Sequence, residues 1–133
     1  MKVLALDYGS ARTGVAVSDS TGTIVRPLEV VKRASSRAGL RRIAELVAAE
    51  HAERIVVGLP LTPRGEHGVQ ARETEEFVSV LRAVTEVPVD TYDERFTTRL
   101  AARPDGPRRD APEDAVAAAH LLSDYLTWTS GRA

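Results

Sequence analysis

Two kinds of hydrophobic pattern alternate along the chain. Val3 to Leu6 is a short apolar run that ends on Asp7, Tyr8 and Gly9, and it reads as a strand with an aspartate at its carboxyl end. Gly14 opens a second run, Val15-Ala16-Val17-Ser18-Asp19, which a Thr21-Gly22 turn separates from a third over Thr23 to Val31. Pro27 inside the third run cannot donate a ladder hydrogen bond, so it predicts an edge strand or a bulge. Three strands joined by short turns imply an antiparallel meander.

The period then lengthens. Leu40, Ile43, Ala44 and Val47 recur at i, i+3, i+4 and i+7, the apolar stripe of a helix that Ser35 or Ser36 would cap. Arg54 to Leu61 reads as a buried strand, and residues 62–68, with Pro63, Gly65 and Gly68, as a loop. A second helix is expected over Val69 to Val84 with Phe77, Val80, Leu81 and Val84 inward, then a fifth strand over Val87 to Tyr92. The last helix would begin at Asp110 and reach Thr127, with Ala115, Ala118, Ala119, Leu122 and Leu126 inward, and Asp110 and Glu113 form a capping-box pattern at its start. An extra helical turn is expected between Thr97 and Arg103. The order is therefore βββαβαβα. Because parallel crossovers are right-handed, it implies an α/β fold with a five-stranded mixed sheet flanked by helices.

Composition narrows the class. The 133 residues suit a single domain over 1–133, and 43% hydrophobic with 28% charged residues suits a globular chain. With no cysteine, disulfides, thiolate metal sites and a Cys nucleophile are excluded. No apolar run reaches the roughly 18 residues of a membrane span, and Asp7 interrupts any signal-peptide core, so a cytoplasmic location without membrane contact is expected. The formal charge of −1 argues against a generic basic nucleic-acid coat. Residues 95–110 nevertheless carry five arginines (95, 99, 103, 108, 109) against two aspartates, a local strip able to hold phosphates. Arg95, Arg99 and Arg103, at i, i+4 spacing, would equally suit a solvated helix face.

Three acids fall where element ends would place them: Asp7 after the first strand, Glu94 after the fifth, and Asp114 in the first turn of the last helix. Ligand sites in such sheets form beyond the carboxyl ends of the strands. Asp114 would project with Ala118, Leu121 and Tyr125, toward the sheet, where a bare carboxylate is costly. One reading is a cluster for one or two Mg²⁺ or Mn²⁺ ions, hard cations that choose oxygen ligands and serve phosphodiester hydrolysis. The spacing alone favours purely structural roles: Asp7 as a strand-end cap, Glu94 as an ion-pair partner of Arg95 or Arg99, Asp114 as an acid favourable to the helix dipole. Asp93 is the reserve ligand, since alternation puts it on the other face of the strand from Glu94. In Asp7-Tyr8-Gly9-Ser10-Ala11-Arg12-Thr13-Gly14 the glycines permit a tight turn, and Arg12 at its tip would meet a phosphate. An ordinary hairpin would use the same glycines. Tyr8 and Tyr92 read as packing residues, His51 and His120 as surface residues, and His67 as part of the 65–68 loop.

Several blocks taken together carry a family likeness: Leu6-Asp7-Tyr8-Gly9 with Arg12 and Gly14; Val15-Ala16-Val17-Ser18-Asp19; Val57-Gly58-Leu59-Pro60-Leu61 followed by Gly65, Gly68 and Gln70; Asp93-Glu94-Arg95-Phe96-Thr97-Thr98; and Asp114 before Ala117-Ala118. In this order they resemble the YqgF (RuvX) family of candidate pre-16S rRNA nucleases, also described as Holliday-junction-resolvase-like. The resemblance runs from about Lys2 to Leu126. It implies an RNase H-like fold and metal-dependent phosphodiester cleavage in maturing the 5′ end of small-subunit rRNA. Asp7, Glu94 and Asp114 match the family's proposed catalytic and metal-binding positions. Arg12, Arg95, Arg99, Arg108 and Arg109 would hold nucleic acid, either structured RNA such as pre-16S rRNA or branched DNA. The stretch Arg99 through Asp110 is shorter than the family pattern. Rival readings are a non-catalytic RNA- or ribosome-assembly-binding module and a Holliday-junction resolvase; a two-lobed sugar-kinase-like ATPase would need well over twice this length. A monomer or weak dimer is expected.

Overall fold

The computed structural model describes residues 1–94 and 113–130. Within them lie β1 (Val3–Asp7), β2 (Arg12–Ser18), β3 (Val25–Lys32), α1 (Arg37–Glu50), β4 (Arg54–Leu59), α2 (Val69–Val84), β5 (Val89–Asp93) and α3 (Glu113–Ser130). This is the expected order of elements. The turn expected between Thr97 and Arg103, the Asp110 cap and the arginines at 95, 99, 103, 108 and 109 lie outside the described residues.

The strands form one sheet in the order β3-β2-β1-β4-β5. β1 pairs antiparallel with β2 and parallel with β4, β2 pairs antiparallel with β3, and β4 pairs parallel with β5. β3 is therefore an edge strand. The register slips between Val15, opposite Glu29, and Ala16, opposite Pro27. Both expectations attached to Pro27 are met: its missing N–H sits on an edge strand and at a bulge.

β1 is central and apolar on both faces, and its alternation feeds two cores. Leu4 and Leu6 pack with Ile43 and Leu46 of α1 and Phe77, Val78 and Leu81 of α2. Val3 and Ala5 point the other way, to Ala118, Leu121, Leu122 and Tyr125 of α3. The result is three layers, α1 and α2 against one face and α3 against the other. Each fully buried Leu or Phe contributes on the order of 2 kcal/mol. Tyr125 donates its hydroxyl to Asp90 at 2.9 Å, and Arg54 Nη1 meets the same carboxylate at 2.6 Å. This contact ties the far half of α3 to β4 and β5.

Helix boundaries follow local chemistry. Ser36 caps α1, its hydroxyl accepting from the Gly39 amide at 3.0 Å, and His51 closes the helix in the left-handed conformation at φ 56°. α2 starts and stops at the expected residues. The inward faces need correction. Ala44 is exposed and Leu46 buried, while on α2 Val80 and Val84 are exposed at 45% and 55%. Their places are taken by Ala71, Thr74 and Val78. Thr74 can be buried because its hydroxyl donates to the Gln70 carbonyl at 2.8 Å. On α3 the buried residues are Ala115, Ala118, Leu121, Leu122 and Tyr125, with Ala119 and Leu126 half-buried beside them.

Candidate functional site

The parity that sends Val3 and Ala5 toward α3 places Asp7 on the same face, at the carboxyl end of the central strand. Its cross-strand partner is Gly14. A methyl group on Gly14 would overlap the carbonyl oxygen of Asp114, so the missing side chain is what lets the first turn of α3 rest directly on β2. Asp114 therefore arrives beside Asp7 by backbone packing, on the helix arc with Ala118, Leu121 and Tyr125 that the sequence pattern indicates.

Glu94 reaches the site from the other side. β5 sends Val89 into the α1–α2 core and Tyr92 into the α3 core. The residue after its end folds back over Gly58 of β4, where a methyl group would stand 2.9 Å from Glu94 Cγ and 3.0 Å from Oε2. Gly58 is on the α3 face with Val56, so Glu94 shares the face of Asp7. Asp93, paired in register with Leu59, belongs by alternation to the opposite face.

The electrostatics follow from this crowding. Burial, and then repulsion from Asp114, pushes the Asp7 carboxyl up to about 6. Glu94 is pushed up to about 7, by burial first and then by Asp7 and Asp93. Neither carboxylate has a hydrogen-bond or ion-pair partner among the described residues. Asp114 does have one: Arg12 Nε stands 3.3 Å from its Oδ2, with the two side chains 66% and 39% exposed. An exposed pair of this kind contributes at most about 1 kcal/mol and separates readily.

Among the described residues no three carboxylates or imidazoles stand together as a ready-made ligand set. Asp7 is instead the middle member of a chain of repulsions, with Asp114 on one side and Glu94 on the other. Two half-buried carboxylates without a counter-charge among the described residues suit a hard divalent cation, which binds one or two carboxylates and completes its shell with water.

Asp7 and Glu94 also line a pocket of about 220 Å³ that the sequence reading did not anticipate. Its walls are Tyr8 and Ser10 from the β1–β2 turn, Pro60 after β4, and Gln70, Glu73 and Thr74 of α2. Gln70 and Glu73 fall three residues apart, one helical step, at polar positions of α2; that spacing was the available signal. Tyr8 and Tyr92 do pack, Tyr8 parallel to Phe77 with centroids 4.4 Å apart and Tyr92 edge-on to Tyr125 at 5.9 Å. His67 pairs with Glu75 at 2.9 Å. His120, expected at the surface, is half-buried, and its Nε2 is covered and without a partner among the described residues.

A central strand paired antiparallel on one side and parallel on the other, in the order 3-2-1-4-5, defines an RNase H-like fold. Solved structures share it: Thermus thermophilus RuvC in complex with Holliday junction substrate superposes with a TM-score of 0.62 at 21% identity, covering 100% of this chain and 98% of that one. The fowlpox virus Holliday junction resolvase gives 0.53 at 11%, covering 96% and 99%. The family model described as "RuvX: Holliday junction resolvase" matches residues 1–128, and the chain belongs to that family. Two relatives named "Putative pre-16S rRNA nuclease" are similar over nearly their whole length. The one from Rubrobacter xylanophilus is 46% identical over 135 residues (98% of this chain, 95% of the relative), and the one from Chloroflexus aggregans 41% over 132 residues (93% and 92%). No helix among the described residues is long and apolar enough to cross a membrane.

Proposed function

We propose that this chain is a divalent-cation-dependent endonuclease that hydrolyses phosphodiester bonds of structured RNA, with the 5′ end of the small-subunit rRNA precursor as its target. The observation that carries the reading is the pair Asp7 and Glu94: two half-buried carboxylates on one face of the sheet, each raised well above its ordinary value, with no cationic partner among the described residues. Their chemistry fits Mg²⁺ or Mn²⁺, and Asp7 and Glu94 would hold it. Asp114 would join them on leaving Arg12. When bound, such an ion supplies positive charge to the phosphoryl oxygens and acidifies the attacking water.

The chain's own groups do the rest. Asp7 and Glu94, once deprotonated, are oxygen donors held in place by strand ends. Arg12, released from Asp114, presents a guanidinium fork to a phosphate oxygen. The arginines at 95, 99, 108 and 109 add positive charge in the sequence next to Glu94, and their part is to position the backbone without reading bases. The RNA substrate is supported by the names of the relatives that match nearly end to end.

A second reading, cleavage of branched DNA, is supported by the description of the family model. One experiment separates the readings. Asp7→Asn should abolish Mg²⁺-dependent cleavage of a structured precursor RNA and leave its binding intact. Unchanged cleavage overturns the proposed role of Asp7. Cleavage of a four-way DNA junction in preference to RNA selects the second reading, and Mg²⁺-indifferent binding without cleavage of either selects a non-catalytic module.

A further inference from the structure

We infer that the pocket beside Asp7 and Glu94 is a subsite for one unpaired nucleotide, whose base lies against Tyr8 and whose edge is met by the Gln70 amide. The inference rests on the nuclease reading for its location, since the pocket shares Asp7 and Glu94 with the proposed centre.

Three observations support it. First, the Tyr8 ring is backed by Phe77, parallel within 16° and itself only 2% exposed. Phe77 occupies one face of the ring, and Tyr8 also lines the pocket. An aromatic wall fixed by the core is a stacking surface that costs nothing to order when a base arrives.

Second, Gln70 is exposed on α2, and its side-chain amide has no hydrogen bond among the described residues. Only its backbone carbonyl is engaged, by the buried Thr74 hydroxyl. That bond fixes the helical turn carrying Gln70 and leaves the amide with both a donor and an acceptor. A group of that kind can pair with the edge of a base.

Third, the charge of the pocket selects which part of a nucleotide enters. Asp7, Glu73 and Glu94 line it, and none of the described residues lining it is basic. With a cation on Asp7 and Glu94 taking the scissile phosphate, the wall formed by Gln70 and Glu73 keeps one uncompensated carboxylate, Glu73, which repels a further phosphate and leaves that side of the pocket to the uncharged base and sugar. A base inside a duplex cannot enter without unstacking and unpairing. The favoured substrate is therefore unpaired at the cleaved position.

The test uses the full-length protein and short oligonucleotides carrying 2-aminopurine at one position, with Ca²⁺ in place of Mg²⁺ so that binding is read apart from cleavage. Single-stranded RNA should bind with fluorescence quenching, and the same RNA annealed to its complement should bind at least about tenfold more weakly, as the unpairing cost requires. Gln70→Ala, an exposed change, should weaken single-strand binding about three- to tenfold, the loss of one or two hydrogen bonds. Tyr8→Leu should remove the quenching and Tyr8→Phe should retain it. A single-stranded DNA arm tells whether the sugar is read as well. Equal binding of paired and unpaired RNA, with Gln70→Ala silent, overturns the subsite. If Mg²⁺-dependent cleavage persists in that case, the nuclease reading stands without it. Quenching with these variant effects but no cleavage with any divalent ion keeps the subsite and sinks the nuclease reading.

Discussion

The carboxylate arm of Glu94 packs against Gly58 on the side where a β-carbon would stand: a methyl group there would be 2.9 Å from Cγ and 3.0 Å from Oε2. Contact is with the far end of a flexible side chain, so the fold can yield where the site cannot. Gly58→Ala is expected to change unfolding free energy by less than about 1 kcal/mol, the strand gaining what alanine offers over glycine. Cation-dependent cleavage should fall at least tenfold because Glu94 is displaced. Equilibrium urea unfolding alongside cleavage rates checks both halves, and intact cleavage would show that Glu94 is not needed in this position.

Gly14→Ala should behave in the opposite way. The obstacle there is the backbone carbonyl of Asp114, with the Ala115 nitrogen 3.0 Å away, and neither can move without shifting α3 off β2. The expected cost is about 3 kcal/mol, at the upper end of what overpacking in a core exacts. Urea unfolding measures it; a stability equal to that of the parent chain would mean that α3 does not rest on β2 as described.

The raised carboxylates make stability depend on pH with a definite sign. In the unfolded chain Asp7 and Glu94 ionise in the ordinary carboxylate range near pH 4; in the folded chain they do so at about 6 and about 7. The stability they contribute is fully present below about pH 4 and is lost as pH rises through 6 and then 7. Melting temperature of the cation-free protein should therefore fall from pH 5 to pH 8, with a shallower fall in Glu94→Gln. Added Mn²⁺ should reverse the trend above pH 6, because the ion requires both groups deprotonated. Parallel melting curves for parent and variant across that range would remove Glu94 from this account.

Arg12 offers a separable test of nucleic-acid contact. Its pair with Asp114 is largely exposed, so Arg12→Ala should alter stability by no more than about 0.5 kcal/mol. RNA affinity should drop for every sequence alike, and the salt dependence of binding should lose about one unit of slope. An unchanged slope would mean that Arg12 remains with Asp114 when RNA is bound.

Much of this arrangement can be read from the sequence because it is local. The strand runs, the Ser36 cap, the bounds of α2 and the edge position of Pro27 each follow from chemistry within a few residues. The α2 face does not. Phe77 and Leu81 belong to two overlapping apolar stripes, one continuing through Val80 and Val84 and the other through Thr74 and Val78, and periodicity alone cannot choose between them. The second is buried because the Thr74 hydroxyl is satisfied within its own helix. Asp7, Glu94 and Asp114 stand out in the sequence as acids at element ends, but what brings them near one another is Gly14 and Gly58, whose contacts join residues far apart in the chain. The spacing of Gln70 and Glu73 shows only a polar helix face; that they share a pocket with Tyr8 and Ser10 of the β1–β2 turn depends on residues some sixty positions away in the chain.

Asp7 also differs from its companions in how firmly it is tethered. It ends the central strand, held between β2 and β4 with a further strand beyond each, whereas Glu94 follows an edge strand and Asp114 sits in the opening turn of a helix. In native-state hydrogen exchange the amides of Leu4 and Leu6 should be among the slowest to exchange, and those near residues 93 and 114 should open earlier. The centre thus has one immovable post and two adjustable arms, so whatever motion accompanies the arrival of a substrate or the departure of a product falls on the arms.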